Sequence, residues 1–334
     1  MPLGIDCGTF NLVVARRGEG DEIKSKREIN AFLELPLENR FVFNMMKKAG
    51  VPLIERDKVA YVVGESAVNM AYTLNELSLK RPMKGGCLNP EEQDAFRILS
   101  IMIHSLIGEV DKDKDVVFYS VPANAVNEKT DADYHDKVLQ SIFKAYKING
   151  KTVNAQPINE ALALIYAELG HKMYTGIGLS FGAGMVNLCH AIFAQPSFAF
   201  SLVNSGDWID QQAARASSES PTIINKEKMK IDLTKPPSSL VERAIHGQYM
   251  ILIERTVAEI KKALLGADKK IRSENPVDII IAGGTSSPNG FTELMSEAIK
   301  ASKWPIPVGE IKRPADHLYA VARGCLIAAE ESMK

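Results

Sequence analysis

The stretch Leu3-Gly4-Ile5-Asp6-Cys7-Gly8-Thr9-Phe10-Asn11-Leu12-Val13-Val14-Ala15 reads as a strand, a glycine-containing turn and a second strand. The plan returns at residues 176–188, with Ser180-Phe181-Gly182-Ala183-Gly184-Met185 as the turn. The plan thus occurs twice, about half a chain apart. A third turn, Ala282-Gly283-Gly284-Thr285-Ser286, follows the apolar run Val277-Asp278-Ile279-Ile280-Ile281. Glycine admits positive φ and lets backbone N–H groups converge on an anion, so each turn is a candidate phosphate loop. None matches the P-loop or the GxGxxG fingerprint, and any one alone reads as an ordinary hairpin.

The intervening sequence alternates strand and helix patterns, which is the α/β signature. The strand at 116–121 is closed by Pro122 and followed by a helix over 128–146 with Tyr134, Val138, Ile142 and Ala145 on one side. Upstream, residues 18–83 are less regular, with a strand at 61–64 and a helix at 65–75. The spacing of Phe96, Leu99, Ile103 and Leu106 predicts a helix over 90–107, led by Asn89 as N-cap and Pro90 at the first position. A helix is expected over 160–169, and a long one over 240–265 with Leu252, Val257, Ile260 and Leu264 inward and Lys261 and Lys262 in water. The segment 300–314 reads as an irregular connector, and 315–333 as a terminal helix.

At 334 residues the chain is long enough for about two domains. Its net charge of -1 offers no excess of positive charge for a phosphate backbone, so direct nucleic-acid binding is not expected. The four cysteines form no CxxC pair, which points away from a disulfide framework or zinc site and towards the reducing cytoplasm. Residues 173–206 contain no Asp, Glu, Lys or Arg, but Gly182, Gly184, Asn187, His190 and Pro196 interrupt the run. It reads as buried strands joined by turns, because a membrane span needs about 20 predominantly apolar residues.

Taken in order, these motifs resemble the actin and heat-shock-chaperone ATPase superfamily, nearest to bacterial actin-like proteins of the MreB and MamK kind. Gly4-Ile5-Asp6-Cys7-Gly8-Thr9 resembles the first phosphate loop, Val62-Val63-Gly64-Glu65 with Arg81-Pro82-Met83-Lys84-Gly85-Gly86 an MreB segment, and Val121-Pro122-Ala123 a strand-closing tripeptide. Gln156-Pro157 resembles the first interdomain connection and Ala322-Arg323-Gly324 the second. Residues 180–185 resemble the second phosphate loop, and Gly206-Asp207-Trp208-Ile209-Asp210 the turn that follows it. Glu227-Lys228-Met229-Lys230 is similar to a Glu-x-x-Lys helix, and residues 281–286 to the adenosine loop.

The resemblance implies a two-lobed actin-like ATPase fold of duplicated ribonuclease-H-like domains with a nucleotide cleft between lobes. Lobe I would take residues 1–155 and 314–334, with a small subdomain inserted at about 27–82. Lobe II would take 156–313, with an insert at about 207–265. ATP or GTP with Mg2+ would be held by Gly8, Thr9, Phe10 and Asn11, by Gly182, Ala183 and Gly184, by Glu227 and Lys230 at ribose and purine, and by Gly283, Gly284 and Thr285. Asp6 would serve the metal and Gln156 would orient the attacking water. One departure stands out: the second loop opens with Ser180 where the family has aspartate, and Met185 replaces its threonine, so hydrolysis is expected to be slow. The implied function is a nucleotide-dependent cytoskeletal filament, with the chain itself as head-to-tail partner and a membrane or cargo adaptor left open. The alternative is a non-polymerising ATP-dependent adaptor or chaperone-like switch.

Overall fold

The computed structural model describes residues 2–36, 40–56, 58–74, 79–108, 116–148, 151–266 and 275–334. Two five-stranded sheets share one strand order. In the first, Leu3–Cys7 pairs antiparallel with Asn11–Arg17, which pairs with Ile23–Ile29; on its other side it runs parallel to Val116–Val121 and then Asn154–Asn159. In the second, Gly176–Phe181, Met185–Ile192 and Gln195–Val203 form the antiparallel side, and Val277–Ala282 and Val308–Lys312 the parallel side. The repeated strand–turn–strand motif is thus the centre of each sheet, and the expected duplication is present. The first sheet runs on through Asn159, past the boundary expected after residue 155.

Alternation decides what covers each face. In the first hairpin Leu3, Ile5, Leu12 and Val14 face a core shared with the helices Ala95–Ile107 and Ala132–Ala145. Val13 and Ala15 point the other way, against Ala322 and Leu326 of the helix Ala320–Glu331. In the second sheet Ile177, Leu179 and Phe181 pack with Ile209, Ile245 and Tyr249. Its opposite face meets Ala161, Leu164 and Ile165 of the helix Glu160–Glu168. The chain therefore crosses between lobes twice, after Asn159 and after Lys312, and each crossing begins a helix that lies between the sheets.

These two helices are in close contact because Gly324 has no side chain: a Cβ there would overlap the Ala163 carbonyl. Gly4 and Gly178, equivalent positions in the two central strands, likewise admit the Ala322 and Ala161 carbonyls. Arg323 adds ion pairs to Glu168 and Asp316.

The insert in lobe I is a three-stranded sheet, Phe32–Pro36, Val59–Val63 and Leu53–Arg56, with the helices Arg40–Lys48 and Glu65–Leu74 around a small core of Leu33, Val62 and Ala67. The region 207–265 holds the helices Gly206–Ser217, Pro221–Lys228 and Leu240–Gly266, which share the core of the second sheet. As expected, Leu252, Val257, Ile260 and Leu264 are buried. No helix among the described residues is long and apolar enough to cross a membrane.

Several local expectations are corrected. The helix over 90–107 begins only at Ala95, because Asn89 caps a turn by accepting from Glu91 N at 3.1 Å. Asp94 cannot cap in its place, since its carboxylate takes Arg56 and Tyr61 Oη. The helix over 128–146 starts at Ala132, where Asp131 accepts from Tyr134 N at 2.8 Å. Phe96 and Tyr134, expected inward, are exposed, while His135 and Met102 fill the core. The connector 300–314 contains the edge strand Val308–Lys312, and the terminal helix begins at Ala320. Of the helix over 65–75, Asn75 lies outside the described residues.

Replacing Gly324 by alanine tests the crossing. In an isolated helix this change would be favourable by about 1 kcal/mol; here the clash should reverse the sign and cost roughly 1–3 kcal/mol, read as a lower urea midpoint.

Candidate functional site

A cleft of about 290 Å³ lies where the three glycine turns meet, and Gly8, Thr9, Phe10, Asn11, Gly182, Ala183, Gly184, Gly283, Gly284 and Thr285 all line it. The turns are tied to one another. Gly182 O accepts from Thr285 Oγ1 at 2.7 Å and from Ser205 Oγ at 2.6 Å, and Asp207 N donates to Ala183 O at 2.8 Å. On the lobe I side Asn30 binds the first turn, donating from Nδ2 to Gly8 O and from its backbone to Phe10 O. The lobes meet over the cleft: Gly86 N donates to Thr9 Oγ1 at 3.1 Å, and a Cβ at Gly184 would overlap both partners. Met185 packs under Gly86, and Arg81 pairs with Asp207 at 3.0 Å. Asn11 Oδ1 is buried there without a hydrogen-bond partner among the described residues.

Two acids lie at the floor. Asp6 accepts from Ser120 Oγ at 2.8 Å, and Ser120 in turn accepts from Cys7 N. Glu160 opens the helix Glu160–Glu168, where Asn159 accepts from Ala161 N and Leu162 N and so turns the first residue into the cleft. Its Oε1 accepts from Ser180 Oγ at 2.5 Å and its Oε2 from Asn187 Nδ2 at 2.8 Å. Burial pushes both acids above the usual carboxylate range; for Glu160 the nearby Asp6 adds to the rise, while the hydroxyls of Ser120 and Ser180 work against it. The hydroxyl at 180 thus has a structural reason: a third carboxylate there would face the other two. The same burial, with Asp6 and Glu160 close by, holds the Cys7 thiol well up, so it is no reactive thiolate.

Three of the expected site residues are not brought to this cleft. Gln156 lies exposed on the strand Asn154–Asn159, paired alongside Phe118. Glu160, four places on, occupies the cleft instead; the mark it leaves in sequence is an acid directly after an N-capping asparagine. Glu227 and Lys230 pair with each other at the surface at 2.9 Å. Asn225 and Lys228, at the same three-residue spacing one half-turn earlier, line the cleft together with Met229. Lys228 is buried, paired with Asp210 at 2.6 Å and donating to Gly206 O at 2.8 Å; Asn225 donates to the other Asp210 oxygen. His317, whose Nε2 bonds Ser287 Oγ at 2.8 Å, also lines the cleft and carries no signal in the sequence. Trp208 packs on the second core, with Arg255 over its ring.

A family model described as Volactin matches residues 1–329. The chain belongs to the Volactin family. Comparison with curated proteins gives no match. Among solved structures it is similar to the MamK double helical filament, with a TM-score of 0.72 and 17% identity over 98% of each chain. It is also similar to the ethanolamine utilization protein EutJ from Carboxydothermus hydrogenoformans, with a TM-score of 0.54 and 14% identity over 97% of this chain and 88% of that one. The fold of this Volactin-family chain is therefore the two-lobed actin-like fold of the superfamily that the motifs resemble.

The raised acids make stability pH-dependent in a definite direction. Between the ordinary carboxylate range and the raised value of Glu160, the folded chain holds a proton that the unfolded chain has released, so stability falls as pH rises. In Glu160→Gln that penalty is gone, and the difference in unfolding free energy between variant and parent should grow in the variant's favour across this window in urea titrations.

Proposed function

We propose that this chain binds a nucleoside triphosphate with Mg2+ in the cleft, hydrolyses it slowly, and uses it to control head-to-tail assembly into filaments. The observation that carries the reading is the convergence of three glycine turns from both lobes on one cleft floored by two buried acids. The cleft fits the group: glycines of all three turns line it, glycine turns can aim backbone amides at an anion, and the buried Asn11 Oδ1 lacks a donor that a metal-bound water would supply.

In this reading the turns hold the phosphates, Asp6 serves the magnesium, and Gly283, Gly284, Asn225, Lys228 and Met229 border the nucleoside. Magnesium supplies neutralisation of phosphate charge. In its ionised form, which the positive charge of bound magnesium would favour over the protonated form of the empty cleft, Glu160 holds the attacking water and takes its proton as the oxygen–phosphorus bond forms and the bond to the bridging oxygen breaks, leaving the diphosphate and phosphate. With Ser180 neutral, a single acid does this work, which favours slow turnover. Assembly is supported by the fold shared with the MamK filament. A contact between unlike faces that does not close into a ring generates a filament, and a nucleotide preferring the closed lobes favours polymer through its differential affinity.

Calorimetry should detect Mg2+-dependent binding of ATP or GTP, lost in Gly184→Val. In a phosphate-release assay Glu160→Ala should lower turnover about 10²- to 10³-fold, whereas Gln156→Ala should leave it unchanged; equal effects would reject the assignment.

Sedimentation and negative-stain microscopy over a concentration series should give pelletable filaments with ATP or a non-hydrolysable analogue and fewer without. A chain that stays monomeric in every nucleotide state would reject assembly and leave a nucleotide switch.

A further inference from the structure

Glu160 is held from two sides, and one of its partners also touches the other lobe. Asn187 is buried on the strand Met185–Ile192 and lines the cleft. Its Nδ2 donates to Glu160 Oε2 at 2.8 Å, while its Oδ1 accepts from Ala123 N at 3.3 Å and from the Ser201 hydroxyl. Chemistry dictates this orientation of the amide. A backbone N–H can only donate, so it claims Oδ1, which leaves Nδ2 for the carboxylate.

Ala123 stands just beyond Val121, where the chain leaves the first sheet, and the following residues dock on the outer strand of the second. Ser201 N donates to Asn124 O at 3.1 Å, and Val126 N donates to Ser201 O at 3.0 Å. Asn127 Oδ1 accepts from Val203 N at 3.0 Å, and Asn127 Nδ2 donates to Val203 O at 2.8 Å. One buried side chain thus joins a lobe I segment, a lobe II strand and the acid at the head of the connecting helix.

We propose that Asn187 is a positioning residue that sets Glu160 when the 123–127 segment is docked, so that closure of the lobes is read directly at the acid. The inference rests on the hydrolysis proposed above for its effect on turnover, but not for its effect on Glu160 itself. An N–H donated to a carboxylate favours its charged form. Loss of the docked segment frees the amide to turn, and the acid then loses both its orientation and this donor.

Two measurements test it. In the nucleotide-free chain, the titration of Glu160 is read from the pH dependence of urea unfolding against the Glu160→Gln background. Asn187→Ala should move that titration to higher pH, and Asn127→Ala, which touches neither Asn187 nor Glu160, should move it the same way by a smaller amount. In steady-state hydrolysis, Asn187→Ala should lower kcat about 10²-fold, the scale of a misplaced reacting group. Its acid limb should shift to higher pH, with nucleotide affinity by calorimetry within about threefold of the parent. If the folded Asn187→Ala chain titrates like the parent, the positioning role is wrong; if Asn127→Ala alone is without effect, the link to lobe docking is wrong. A parent chain that binds or hydrolyses no nucleotide would reject the proposed function, and the unfolding arm would still decide this proposal.

Discussion

Everything in this molecule hangs on the contact between the helices Glu160–Glu168 and Ala320–Glu331, which Gly324 permits by leaving the Ala163 carbonyl unobstructed. Each helix continues a strand of one sheet and packs on the other, so the two lobes are joined twice through their interior. A bulky residue at this crossing would push the helices apart and, with them, the sheets whose turns form the cleft. The heads of the same helices reach that cleft: Glu160 on one side and, at the matching position of the other, Val321.

This near-symmetry makes the chemical asymmetry legible. The duplicated strands place Asp6 and Ser180 at equivalent positions, and the duplicated helices place Glu160 and Val321. Each pair keeps one acid. Burial already raises the proton affinity of both carboxylates and Asp6 raises that of Glu160 further, so a third would have to be neutral or be met by a cation. The fold thus concentrates its charge on one diagonal of the cleft, and Ser120, Ser180 and Asn187 supply the hydrogen bonds that make two buried acids tolerable. Burial of this kind is costly for stability, and the magnesium and phosphate of the proposed function would offset that cost.

The contacts across the mouth have a different character. Arg81 with Asp207, Lys226 over the Tyr72 ring, and the docking of 123–127 on Gln195–Val203 lie nearer the surface and are individually small. A closely packed crossing below is thus paired with several weak contacts above.

The sequence by itself determined the two hairpins, the three turns and the α/β duplication, because each rests on local patterns: alternation, glycine at a turn, an apolar run of strand length. That the turn residues share one cleft was implied by the family resemblance, and the packing of the two sheets is what brings them together. Only the tertiary structure decided between Gln156 and Glu160, which stand four places apart on either side of a strand-to-helix boundary. Where that boundary falls depends on Asn159 capping the helix, and hence on where the first sheet stops pairing. The same holds for Lys228 over Lys230, because the helix Pro221–Lys228 turns its last residue inward and Lys230 falls in the turn beyond it. Asn187 was invisible for a further reason: in the chain it is one polar residue in an uncharged strand, and its meaning comes from Glu160 and Ala123, residues far away in sequence that only the packing of two lobes brings to its side.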